Sequence, residues 1–229
     1  MSGKKAILGV VIVVLIGLLK TSGVARASEI TSVQASEAAE EVQGLTPYSL
    51  GLVDEAIAVL SQGWGGMSQA ERDVFIQIYD PAGTGEVDGR YVARVLENYR
   101  KIRATLAADV EVVYAEQNSI CVDQRLVYTD LSRLYVCPYF FKEENEGRKA
   151  RNLIHEMAHI ALLVVDRAYY NPTSKAYAEL TPNGLWITEV PLVGRFAREV
   201  LRGDTLYHPD AYGHFALLNA GFTYMVLDG

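Results

Sequence analysis

Through the middle of the chain the apolar residues return every three or four positions, the period of a helix packed on one side. Leu50, Val53, Ala56, Ile57 and Leu60 keep this spacing after Pro47, and the glycines at 63, 65 and 66 end it. Ser68, with Glu71 three residues on, has the form of a capping box and opens a second helix through Phe75, Ile76 and Ile78. A third helix carries Val92, Val95, Leu96, Tyr99, Ile102 and Leu106 on one side, up to Ala107. The period then changes. Val110, Val112 and Tyr114, then residues 126–128, then residues 134–139 are short apolar runs separated by polar turns, which predicts a small sheet. Leu153, Ile154, Met157, Ala158, Ile160, Ala161 and Leu162 make the next helix apolar almost all round, so it belongs in the core. Beyond Asn171 and Pro172 the pattern predicts a polar loop to residue 189, a helix from Pro191 to about Arg202, and a last helix from Pro209 with Tyr212, Phe215, Ala216 and Leu218 facing inward. The expected class is α+β: mainly helical, with a small sheet and one central helix.

The first 46 residues lie outside this pattern. Residues 1–27 begin with Lys4 and Lys5, continue as an apolar run over 6–19 and close on Ala25-Arg26-Ala27, the layout of a signal peptide. The run of fourteen is shorter than the roughly twenty residues a permanent anchor needs. The expectation is therefore a secreted or periplasmic protein with no membrane partner after cleavage; an uncleaved anchor at 6–19 is the alternative. Residues 28–46, rich in Ser, Glu, Ala and Gln, read as a linker or short pro-segment, which leaves 47–229 as the folded domain. With 229 residues, half of them hydrophobic, the chain can bury one sizeable core. Its net charge of −7, more acidic still once Lys4, Lys5, Lys20 and Arg26 are set aside, weighs against a nucleic-acid partner. Cys121 and Cys137 are the only cysteines, and in an exported protein a lone pair is most simply a disulfide. Closing a loop of about 15 residues stabilises by roughly 3 kcal/mol in the chain-entropy view.

The buried helix contains His155-Glu156-Met157-Ala158-His159. Histidines four apart lie one turn above each other, so both imidazoles can reach one metal ion. Glu156 sits where it can take a proton from a water without being a ligand. A catalytic zinc site has three protein ligands and a water, so a further His, Asp or Glu must complete it. Asp166, Glu179, Glu189 and Asp210 are the candidates, and spacing does not choose among them. The stretch 80–88 has the outline of a calcium-binding loop, but Ala82 and Tyr91 stand where oxygen ligands are needed. His208 and His214, outside the motif, are either further donors near the cleft or surface residues, and the surface reading is the expectation.

Three blocks carry a resemblance to a known family: Leu153-Ile-His-Glu-Met-Ala-His159, Leu134-Tyr-Val-Cys-Pro-Tyr-Phe-Phe141 and Pro209-Asp-Ala-Tyr-Gly-His-Phe-Ala216. In these the chain resembles the aspzincin metalloendopeptidases, the group of deuterolysin and the peptidyl-Lys metalloendopeptidases. The resemblance implies zinc as cofactor and a protein or peptide substrate. It also implies Asp166 as third ligand, Tyr169 as the tyrosine that steadies the transition state, and Asp210 as part of the substrate pocket. Val164 and Val165 stand in place of the family's Gly-Thr, Tyr170 in place of a final Gly, and Gly213 where Lys-specific members have a Glu. The expected function is an exported zinc endopeptidase cutting near basic residues. Its rivals are a catalytically silent peptidase-like binding domain, against which the intact Glu156 argues, and a zinc peptidase with Glu179 or Glu189 on the metal.

Overall fold

The computed structural model describes residues 5–80, 87–116, 121, 125–164, 166, 168–171, 176–179, 206 and 208–222, with side chains placed from Val33 on and backbone alone at 168–171 and 176–179. Helix α1, Lys5–Ser61, runs straight through the stretch expected to be a linker or pro-segment. Ala38, Val42 and Leu45 are buried there and continue the face formed by Leu52, Val53, Ala56 and Leu60. Within the stretch 28–46, expected to be a linker or short pro-segment, residues 33–46 are thus helical and partly packed into the core. One apolar or small residue per turn, at spacings of four and three, is enough to seat a helix against neighbours but too narrow a face to stand out among Ser, Glu and Gln. Pro47, expected at a helix start, lies inside α1. The Thr46 and Ser49 hydroxyls on either side of it donate to the carbonyls of Val42 and Leu45, at 2.8 and 3.1 Å.

Gly63, at φ 66°, turns the chain through the short helix α2, Gly63–Gly66, in a conformation that costs other residues strain. Helix α3, Gln69–Tyr79, opens with the expected capping box between Ser68 and Glu71 and buries Phe75, Ile78 and Tyr79. Helix α4, Gly89–Leu106, is capped by Asp88, whose carboxylate accepts from the backbone N–H groups of Arg90 and Tyr91 at 2.9 and 2.8 Å. Most of the calcium-like loop before Asp88 is outside the described residues.

The expected sheet is present. Strand β1, Glu111–Tyr114, pairs in parallel with β3, Arg133–Val136, and β2, Val127–Thr129, pairs antiparallel with β3, giving the order β1-β3-β2. Its last strand stops at Val136, because Pro138 has no N–H for the ladder and starts a 3-10 turn over Pro138–Phe141. Cys137, at the head of that turn, is bonded to Cys121. Helix α5, Glu146–Leu162, follows, then strands β4, Ala168–Asn171, and β5, Ala176–Glu179, then helix α6, Pro209–Asn219. The antiparallel pair β4-β5 corrects part of the expected polar loop: β5 lies within it and pairs with β4, with Asn171 opposite Ala176. The helix expected over 191–202 is outside the described residues.

Helix α5 packs against α1, α4 and α6, and this enclosure buries it on nearly every side. A cluster of Phe75, Tyr79, Tyr99, Tyr212 and Phe215 fills the space between α3, α4 and α6. Its polar edges are matched: the Tyr99 hydroxyl donates to the Tyr212 carbonyl at 2.7 Å, and Asn98 donates to the Tyr212 hydroxyl at 2.7 Å. These contacts fix the rotation of α6, which decides what α6 presents to α5.

Candidate metal centre

Asn145 starts α5, its side chain accepting from the Arg148 N–H at 2.9 Å, and Glu143 accepts from the Asn145 N–H and pairs with Arg148 at 2.8 Å. Acidic groups here suit the positive end of the helix. One turn from the other end, His155 and His159 lie on one face with their Nε2 atoms 3.1 Å apart. The helix stops at Leu163, which takes the left-handed conformation, φ 53° and ψ 46°. This sharp turn has two effects. The Val164 carbonyl swings back to accept from His159 Nδ1 at 2.8 Å, and the Asp166 carboxylate comes round to the histidines. Asp166 Oδ1 is 3.2 Å from His155 Nε2 and 3.3 Å from His159 Nε2.

Two imidazole nitrogens and one carboxylate oxygen thus bound a triangle with edges of 3.1 to 3.3 Å. Ligands about 2.0–2.1 Å from a tetrahedral ion are separated by about 3.3 Å, so a zinc-sized cation fits this donor set in size and in chemistry. Glu156 is the other acid at hand, since the donor atoms of His155, Glu156 and His159 all lie within 4.8 Å of one another. Its Oε1 is 4.0 Å from His155 Nε2, farther than Asp166.

The two histidines are held from behind as well. His155 Nδ1 faces Asp210 Oδ1 at 3.4 Å, as His159 Nδ1 faces the Val164 carbonyl. With both Nδ1 atoms facing acceptors, both Nε2 atoms are turned into the triangle. Asp210 is therefore on the far side of the His155 ring and buried, with 4% of its surface exposed, where the resemblance implied a place in the substrate pocket. It cannot share an ion with Nε2 of the same ring.

No protein-family model and no curated protein matches the chain. Among solved structures it is similar to a zinc peptidase from Grifola frondosa, at 14% identity over 83% of this chain and 97% of that one, with a TM-score of 0.49. What the site can do rests on its own atoms.

Two carboxylates flank the His155 ring and favour positive charge there. Burial pulls the His155 imidazole down, but Asp166 on one side and Asp210 on the other outweigh it and carry it well above its ordinary value. Burial would raise the two aspartates, yet His155 and His159 hold Asp166, and His155 and Arg151 hold Asp210, well below the usual carboxylate range. Glu156 behaves differently: burial lifts it from 4.5 to about 7, only partly offset by the two histidines.

Of the remaining expected residues, Tyr169 and Glu179 lie on β4 and β5 with backbone alone described, and Glu189 is outside the described residues. His208 and His214, expected at the surface, are buried. The sequence reading passed over Arg151, whose Nη1 is 3.0 Å from His214 Nε2, with His214 Nε2 in turn 3.5 Å from Asp210 Oδ2. The signal was present: Arg151 precedes His155, and His214 follows Asp210, by one helical turn.

Proposed function

We propose that this chain is an exported zinc-dependent endopeptidase. The observation that carries the reading is the convergence of His155 Nε2, His159 Nε2 and Asp166 Oδ1 within 3.3 Å of one another, beside a buried glutamate. These three atoms would hold the zinc. When bound, it supplies Lewis acidity, acidifying a water and polarising the carbonyl of the scissile bond.

The chain's own residues supply proton transfer and orientation. Glu156 takes a proton from the attacking water on its carboxylate and delivers it to the nitrogen of the leaving amine. Burial lifts Glu156 to about 7 in the metal-free site, and beside a cation held by the two histidines it would return toward the ionised form that accepts the proton. The Val164 carbonyl and Asp210 keep the two imidazoles aimed, so no reorientation is needed on loading. Tyr169, on β4 just beyond Asp166, is the proposed donor to the oxyanion that develops on the carbonyl. A preference for basic residues is not part of the proposal, because Asp210 is turned away behind His155 and Gly213 offers no side chain. Export is supported by the basic, apolar and small-residue order of the N-terminus and by the Cys121–Cys137 bond.

Purified protein should carry about one zinc per chain by elemental analysis and should cut internal bonds in a peptide library. Chelation and Glu156→Gln should each abolish cutting, the second with zinc retained. Cutting that survives chelation, or a fully active Glu156→Gln protein, would refute the reading.

A further inference from the structure

Arg151, His155, Asp210 and His214 form a chain of contacts across the α5–α6 interface, each helix giving two residues one turn apart. Its three links are 3.4 Å from His155 Nδ1 to Asp210 Oδ1, 3.5 Å from Asp210 Oδ2 to His214 Nε2, and 3.0 Å from His214 Nε2 to Arg151 Nη1. A guanidinium only donates, so His214 Nε2 must accept, its proton lies on Nδ1, and the ring is neutral. Burial pushes this imidazole down to about 3, in keeping with a neutral spacer. The guanidinium and the Asp210 carboxylate therefore approach the same nitrogen of a neutral, fully buried ring, so the charge of Arg151, and not a hydrogen bond from His214, is what attracts Asp210. Helix approach is close enough for this only because position 213 is glycine. A Cβ there would stand 2.8 Å from the Arg151 carbonyl oxygen and 2.9 Å from Arg151 Cγ.

We propose that Arg151 and His214 are positioning residues for the metal centre: together they hold Asp210 with one oxygen turned to His155 Nδ1, and so hold the His155 ring with Nε2 aimed at the ion. The inference rests on the metal-binding reading above and extends it to two residues that touch neither zinc nor substrate. Arg151 balances the charge of Asp210, His214 fills the gap between them, and Asp210 passes the orientation to the ligand. Residues that orient a ligand in this way typically contribute ten- to a hundredfold to metal affinity.

The test is a double-mutant cycle read on zinc affinity, measured by competition with a chromogenic chelator, alongside the visible spectrum of the cobalt-loaded protein. His214→Leu should weaken zinc binding about tenfold in the native background and by less than about twofold in the Asp210→Asn background, because its effect passes through Asp210. Arg151→Met should behave in the same way, so the result does not depend on one variant folding. Cobalt spectra should change with either substitution and not change further once Asp210 is Asn. Equal losses in both backgrounds would mean independent structural roles and would overturn the proposal, as would native affinity in both His214→Leu and Arg151→Met. A native protein that binds no zinc, or holds it after His155→Ala, would instead sink the metal-binding reading itself.

Discussion

Replacing Gly213 by alanine sets two effects of opposite sign against each other. Gly213 lies inside α6, and on propensity alone Gly→Ala in a helix interior gains about 1 kcal/mol. The structure predicts the reverse. The new Cβ would meet the Arg151 carbonyl oxygen at 2.8 Å and Arg151 Cγ at 2.9 Å. The Cγ can swing aside, but the carbonyl belongs to the α5 backbone. Relief therefore requires the helices to part by about half an ångström, and overpacking of this kind costs about 1–3 kcal/mol. The net expectation is a loss of about 1 kcal/mol, read as a lower urea midpoint for the chelated protein. Parting the helices also lengthens the 3.4 Å approach of Asp210 to His155, so zinc affinity should fall several-fold. A Gly213→Ala protein stabilised by about 1 kcal/mol, as a solvent-facing glycine would be, would refute the close approach of α5 and α6.

Three further outcomes are expected. Leu163→Gly should stabilise by about 0.5–1 kcal/mol in urea unfolding, since Leu163 holds a left-handed conformation, is 74% exposed and has strain to lose and little burial; a loss of stability would contradict this. In the metal-free protein, Glu156 favours its protonated form in the fold. The stability it contributes should be complete below about pH 4.5 and lost as pH rises through about 7, and Glu156→Gln should remove this dependence, a difference on the order of 3 kcal/mol in paired unfolding curves at pH 8. Asp166→Ala should abolish tight zinc binding, whereas Asp210→Ala should weaken it by ten- to a hundredfold with zinc still recoverable at saturating concentration; zinc content and competition titration separate the two.

The parts of this fold legible in the sequence are those where local chemistry and burial agree. The Ser68–Glu71 box appears as written because both capping partners lie within one turn. His155 and His159 converge because helical spacing alone puts them on one face. Asp166 reaches them through a turn that no local rule announces, since Leu163 occupies a position where glycine is the usual signal. The pair β4-β5 was hidden because Asn171-Pro172 reads equally as the end of an element or as the tip of a hairpin. Arg151 and His214 stayed out of sight for another reason. Each is unremarkable on its own helix and acquires a role only once Gly213 brings the helices together.

Helix α1 also limits how this protein can be matured by proteolysis. A cut at residue 27 would lie well before Ala38, the first buried side chain among the described residues of the helix. A second cut near residue 46 would remove Ala38, Val42 and Leu45 from contact with the rest of the core and would take Glu41 from its ion pair with Lys149 of α5. Each lost apolar side chain is worth on the order of 1 kcal/mol or more, and together they are a large part of a domain's typical margin. Loss of residues 33–46 would thus uncover the part of the core that Ala38, Val42 and Leu45 close, and would free Lys149 on the helix that carries His155 and His159.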